Sequence, residues 1–315
     1  MAIETVVLSG SETGSSAKIL AGFGFNCYQF QTVHDGRPID VLWSAENFSA
    51  GQERSMASGI PILFPFPGRI QGTTLQWEGR GYTLEAGDGQ GNAIHGFVHD
   101  RPWRVIEQTA NHVVGEFHAS VDAPPLLKQW PTDFRIRVTY RLAGNQLTSK
   151  LLVDNPGEGP LPFGLGTHPY FRVPLGAAGA AGDCTVKVPL SRQWELDNLI
   201  TTGKLLPFEQ RAAFQTGQKF SDIALDSVFT FQDTRSSQIA ASIHDPASGR
   251  TMEMTLDSSF RQCVIYNPPH REAICIEPYT CVPDPFRLSR QGVDTGPRVL
   301  APGQSFAASI QIRVD

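Results

Sequence analysis

The sequence is poor in charge. Asp, Glu, Lys and Arg make up 18% of its 315 residues, against roughly a quarter in an average soluble domain. No basic run occurs, and the net charge is −5. That argues against nucleic acid as a partner, which requires a positive footprint. No stretch approaches the roughly 18 consecutive apolar residues of a membrane-spanning helix, so no membrane partner is expected. The opening "MAIETVVLSGSETGSS" lacks a basic segment followed by an apolar one, so a secretory leader is not expected and a cytoplasmic location is. The five cysteines are odd in number, scattered and without a C-x-x-C pair, which points to reduced thiols rather than disulfides or a zinc site. Also missing are a G-x-S-x-G elbow, a phosphate-cradling glycine loop before a helix, a dinucleotide fingerprint and sustained helical periodicity.

What the chain does have is period-two alternation. "FRIRVTYRL" puts Phe134, Ile136, Val138, Tyr140 and Leu142 on one face and three arginines and Thr139 on the other, and "AGN" then turns the chain into "QLTSKLLVDN". This reads as a hairpin with one wet face. "SQIAASIHD", "PASG" and "RTMEMTLD" read as a second, and "SFAASIQIRV" as a closing strand. Strands are also expected at "PIDVLW", "LQWEGRGYTLE", "WRVIEQ", "HVVGEFHA", "CTVKVPL", "DSVFTFQ", "CVIYN" and "AICIE", with a turn or two of helix only at "PLLKQW" and near "RSMASG". No linker or composition shift divides the chain, so residues 1–315 are expected to form a single all-β domain, a large antiparallel sandwich or barrel.

Several polar residues sit awkwardly within this pattern. In "GLGTHPYF" two glycines and a proline, all poor strand residues, surround His168, which shares a face with Tyr170. From that stretch alone, a hydrogen-bonded structural histidine and a catalytic one both fit. In "AICIEPYT", Ile274 and Ile276 share a core face and Cys275 and Glu277 the other. Pro278 is expected to stop the ladder and leave Glu277 at a strand end, partly desolvated with its pKa raised, or else paired with an arginine. "NAIHGFVHDRPW" carries His95 and His99. On a loop or strand that spacing does not bring two imidazoles to one point, so no metal is expected. In "GIPILFPFPGRI" three prolines stiffen a loop that presents Arg69, and Asp226 in "SDIALDSVFTF" is a turn residue or a ligand contact. Together these are acid–base and hydroxyl-binding groups, suited to sugar chemistry.

Taken in order, "GRI" at Arg69, "NAIHG" at His95, "THPYF" at His168, "LDSVF" at Asp226, "ICIEPYT" at Glu277 and the closing "DTGPRVLAPGQSFAASIQIRV" resemble the aldose 1-epimerase (mutarotase) family over nearly the whole chain. The resemblance implies a large twisted antiparallel β-sandwich (the galactose mutarotase-like supersandwich). It also implies interconversion of the α and β anomers of a hexose, with neither cofactor nor metal. By it, Glu277 is the catalytic base on the anomeric hydroxyl, His168 the catalytic acid on the ring oxygen, and Arg69, His95 and Asp226 hold the sugar. There are departures: Gly68 stands where the family usually has asparagine, and "RVP" follows "HPYF". "HGFVHDRPW" leans toward the hexose-6-phosphate 1-epimerase-like branch, with Arg101, Arg172 or Arg287 as phosphate partners. The partner expected is therefore a small sugar, free or phosphorylated, bound by a monomer or homodimer. The rival readings are a non-catalytic carbohydrate-binding protein and a glycoside hydrolase pairing Glu277 with Asp226 or Asp284.

Overall fold

The structure is a computed structural model that describes all residues except 1, 2, 11, 12, 35, 177, 178 and 233–237. The expected hairpin forms in register: the strand Arg135–Ala143 pairs antiparallel with Gln146–Asp154. Its apolar face, from Phe134 to Leu142, is buried. On the other face Arg135 and Arg137 both reach Asp154, at 3.0 and 2.9 Å. A one-residue slip would exchange those two faces, so the alternation itself fixes the register.

Around this hairpin a nine-stranded sheet is ordered Arg104–Gln108, His112–His118, Arg135–Ala143, Gln146–Asp154, Ser305–Val314, Arg250–Asp257, Gln238–Asp245, Thr185–Lys187 and Gln218–Lys219. The closing strand thus lies mid-sheet, between the two expected hairpins. An eight-stranded sheet runs Ile200–Pro207, Leu190–Asp197, Asp226–Phe231, Gln262–Tyr266, Ala273–Tyr279, Gly166–Thr167 and Ile62–Leu63, with Tyr170–Arg172 also on Ala273–Tyr279. A further four-stranded sheet forms from Thr5–Ser9, Ser16–Leu20, Asn26–His34 and Arg37–Asp40. All named strand pairs are antiparallel. The fold is the expected twisted antiparallel sandwich.

The main core fills the space between the two large sheets, joining Ile136, Met254 and Ile310 of one to Phe229, Ile274 and Ile276 of the other. The far face of the eight-stranded sheet carries two smaller clusters, one around Leu63, Trp194 and Tyr279 and one around Tyr170 and Cys275. That second face, polar as well as apolar, is where a ligand can meet the sheet.

Three expectations need correction. "RSMASG" forms turns rather than helix, and its Met56 and Ala57 line a cavity. The α-helices among the described residues are short and lie at Ala119–Asp122, Arg211–Thr216 and Pro285–Arg290, and a 3-10 turn at Pro124–Lys128 overlaps "PLLKQW". Pro278 does not end its strand, which continues to Tyr279. A proline is tolerated there because the ladder on that side is discontinuous, pairing at Gly166–Tyr279 and resuming only at Tyr170–Cys275.

Candidate active site

The strand Ala273–Tyr279 sends Ile274 and Ile276 into the main core, so period-two geometry turns Cys275, Glu277 and Tyr279 to the opposite face. Alongside it, "GLGTHPYF" runs antiparallel, with Gly166 paired to Tyr279 and Tyr170 to Cys275. The register between those pairs sets His168 opposite Glu277, where cross-strand side chains meet. His168 Nε2 lies 3.3 Å from Glu277 Oε1. Its backbone N–H donates to the Pro61 carbonyl at 3.0 Å rather than to the ladder.

The poor strand residues now have a reason. A Cβ on Gly166 would lie 2.6 Å from Tyr279 Cδ1, and one on Gly164 would overlap the Cys281 sulfur. Gly164 thus makes room for Cys281 and Gly166 for the Tyr279 ring, whose hydroxyl donates to Glu277 Oε2 at 2.6 Å. On the other side Tyr170 stacks on the His168 ring, with centroids 4.9 Å apart and planes at 8°. The Tyr170 hydroxyl donates to the Met56 carbonyl.

Arg69 and His95 come together through a two-residue ladder that pairs Arg69 with Ile94. His95 adopts φ +64°, an uncommon conformation for a residue with a side chain. Its Nδ1 accepts the Gly68 N–H at 3.2 Å, so the ring proton of the neutral form sits on Nε2, free to donate. Gly68 itself has φ +72°. Asparagine and glycine are the residues that best accept that left-handed conformation, which accounts for the departure at this position. The Arg69 Nε donates to Asp88 Oδ2 at 3.2 Å. Burial pushes against ionisation of Asp88, but hydrogen bonds from Asn92, Gln90 and Arg69 hold its carboxyl at about 2. Asp226 begins the strand Asp226–Phe231 opposite Tyr266 and stays exposed.

All five residues singled out from the sequence, Arg69, His95, His168, Asp226 and Glu277, line one cavity of about 770 Å³. Arg101 lines it too, with its Nε donating to the Phe97 carbonyl. Two other arginines do not belong there: Arg172 is outside the lining, and Arg287 is tied to Asp284 and the Thr201 carbonyl. Asp284, held by Arg287 and the Gln71 N–H, is likewise outside the lining and offers no second carboxylate across the cavity. His95 and His99 turn to different partners, Gly68 and Ser55.

The family model of Aldose 1-epimerase matches residues 16–313. The chain belongs to that family. Its fold is similar to the crystal structure of a galactose mutarotase-like protein from Clostridium acetobutylicum, with a TM-score of 0.88, 20% identity, and 99% of this chain and 95% of that one covered. In sequence it is 23% identical over 246 residues to the uncharacterized protein YihR of Escherichia coli, covering 77% of this chain and 75% of that one. It is 26% identical over 228 residues to human galactose mutarotase, covering 70% of this chain and 65% of that one. The family is one of isomerases, and no helix of the described residues is long and apolar enough to cross a membrane.

In this epimerase-family cavity burial dominates the electrostatics. It pushes the Glu277 carboxyl well above its ordinary range, opposed by the Tyr279 hydrogen bond and the Arg69 charge, while Asp226 adds to the rise. It pulls His168 down to about 3. Burial, and then the neighbouring His168, take His95 well below its ordinary value. The sequence reading missed Tyr279, although "EPY" puts its side chain two residues from Glu277 on the same face, a signal period-two logic could have used.

Proposed function

We propose that this protein interconverts the α and β anomers of a hexose by acid–base ring opening and reclosure, acting as one domain over its whole chain. The observation that carries the reading is the His168–Glu277 pair, 3.3 Å apart at the floor of the cavity, with Arg69, His95 and Asp226 on its walls. A sugar enters with its O1–C1–O5 unit against that pair. Glu277 takes the proton from the anomeric hydroxyl, and His168 gives one to the ring oxygen. The ring opens to the aldehyde, the C1–C2 bond rotates, and closure on the other carbonyl face returns both protons. Nothing is consumed, so a pair sharing one proton is sufficient.

Burial disfavours charge on either partner, so in the empty cavity the neutral pair is favoured. The Tyr279 hydroxyl and Arg69 oppose that burial at the carboxyl, so with sugar bound the one shared proton passes from Glu277 to His168, leaving Glu277 as the base and His168 as the acid. The Nε2–H of His95 and the Arg69 guanidinium donate to sugar oxygens, and the Asp226 carboxylate accepts from a sugar hydroxyl. Positioned acid and base groups typically contribute about 10²–10⁴-fold each.

Polarimetry on freshly dissolved α-glucose and α-galactose, corrected for the spontaneous change in buffer, tests this. Faster approach to equilibrium is expected, whereas a non-catalytic sugar binder would leave the rate unchanged. Phosphorylated hexoses are the second reading. Arg54 lines the cavity and its side chain makes no hydrogen bond or ion pair among the described residues, and Arg101 lies in the same cavity. A panel of free hexoses against hexose 6-phosphates separates the two.

A further inference from the structure

We propose that the cavity floor is also a binding site for a thiophilic divalent cation such as Zn²⁺, formed by His168, Cys275 and Glu277, and that the bound cation closes the site to sugar. The binding stands on geometry alone, whereas the inhibition rests on the epimerase reading.

One ligand atom from each of the three side chains lies within 4.8 Å of the others, and all three residues are buried. Zinc bonds of about 2.0–2.3 Å to nitrogen, oxygen and sulfur put neighbouring tetrahedral ligands roughly 3.3–3.7 Å apart. The His168–Glu277 separation of 3.3 Å already matches one such edge. The sulfur has to close by only about 1 Å to complete the face.

The other cysteines do not compete. Cys27, Cys184 and Cys263 lie in the core between the sheets, and Cys281 is buried behind Gly164. Cys275 shares the strand face of Glu277 and is buried directly behind the cavity lining, in the cluster with Tyr170 and Tyr266. A second observation points the same way: buried His168 Nδ1 has no hydrogen-bond partner, so no anchor on that nitrogen keeps the ring from tilting toward a cation.

Three protein ligands leave a fourth position on the cavity side, open to water or a sugar hydroxyl. A thiolate with an imidazole selects Zn²⁺ and similar ions over Mg²⁺ or Ca²⁺, which prefer oxygen. On binding, the thiol proton and the proton held by the Glu277 carboxyl leave to solvent, and the sulfur, imidazole nitrogen and carboxylate oxygen donate to the ion. The lone pairs that would exchange protons with the sugar are then occupied.

Co²⁺ is the spectroscopic probe. Titrated into the full chain, it is expected to produce a thiolate-to-cobalt charge-transfer absorption, displaced by Zn²⁺ and lost in both Cys275→Ala and Cys275→Ser. Zn²⁺ is expected to slow sugar mutarotation by the wild type, reversibly with a chelator. Either substitution should weaken that inhibition roughly tenfold or more, and Mg²⁺ should have no effect. Absence of the cobalt band in the wild type, or Zn²⁺ inhibition unchanged in both variants, overturns the proposal. A cobalt band lost in the variants, from a protein that interconverts no sugar anomers, would uphold the metal site and remove the epimerase reading alone.

Discussion

Replacing Tyr279 by Phe removes a single oxygen from the hydrogen-bond network of the proposed base. The ring stays packed against the Leu63 and Trp194 cluster, but Glu277 Oε2 loses its 2.6 Å donor. Burial, reinforced by the neighbouring Glu277, raises the Tyr279 hydroxyl pKa well above 10, so in the wild type it remains a donor across the assay range. A hydrogen bond to a charged group contributes about 1.5–3 kcal/mol. At about 1.4 kcal/mol per pKa unit, losing it raises the Glu277 pKa by roughly one to two units. Because the base must be ionised, the acid limb of the kcat/KM profile should move up by that amount. Activity well below the new pKa then falls about 10- to 100-fold, and activity well above it returns toward wild type. Polarimetry from pH 5 to 9 with the buffer rate subtracted measures this, with a melting curve to establish folding. A loss uniform across pH, or an acid limb that does not move, would refute the assignment of Tyr279 as the group that tunes Glu277.

Glu277→Gln and His168→Asn should each lower turnover by orders of magnitude with the fold intact; full activity in Glu277→Gln would rule out that residue as the base. Glu277→Gln should also melt higher near neutrality. The folded carboxyl binds its proton more tightly than the unfolded one, so stability falls as pH rises above about 4.5, and glutamine removes that cost. Arg69→Ala and Asp226→Ala should chiefly raise KM, which initial rates against sugar concentration would show; an unchanged KM in both would place the sugar elsewhere. His168 has the opposite linkage. Its folded pKa is lowered to about 3, so the unfolded chain binds the extra proton. Its contribution to stability is complete above the unfolded value of about 6.5 and declines below it by about 1.4 kcal/mol per pH unit. Melting temperatures between pH 7 and 5 should therefore fall less steeply in His168→Asn than in the wild type, and equal slopes would contradict this.

The sheets were legible because alternation is local. "FRIRVTYRL" states which face is buried, and the structure buries that face. The hairpin of Leu190–Asp197 and Ile200–Pro207 was harder to see, because much of it is only half-buried and its alternation is weak. The short helices were also missed, as six-residue elements such as Arg211–Thr216 and Pro285–Arg290 are too brief for a 3.6-residue period to stand out.

By itself the sequence determined which residue types were available and which faces of the strands they shared: an acid beside a cysteine face, a histidine flanked by glycines, no charge run and no apolar run long enough for a membrane-spanning helix. Only the tertiary structure decided that residues 168 and 277 face each other, because cross-strand register depends on pairings more than a hundred residues apart. It also decided that Arg69, His95 and Asp226 share one cavity with that pair, that Arg172, Arg287 and Asp284 do not, and that Tyr279 fills the space left by Gly166. Such closeness is set by packing in three dimensions, on which spacing along a chain places no bound.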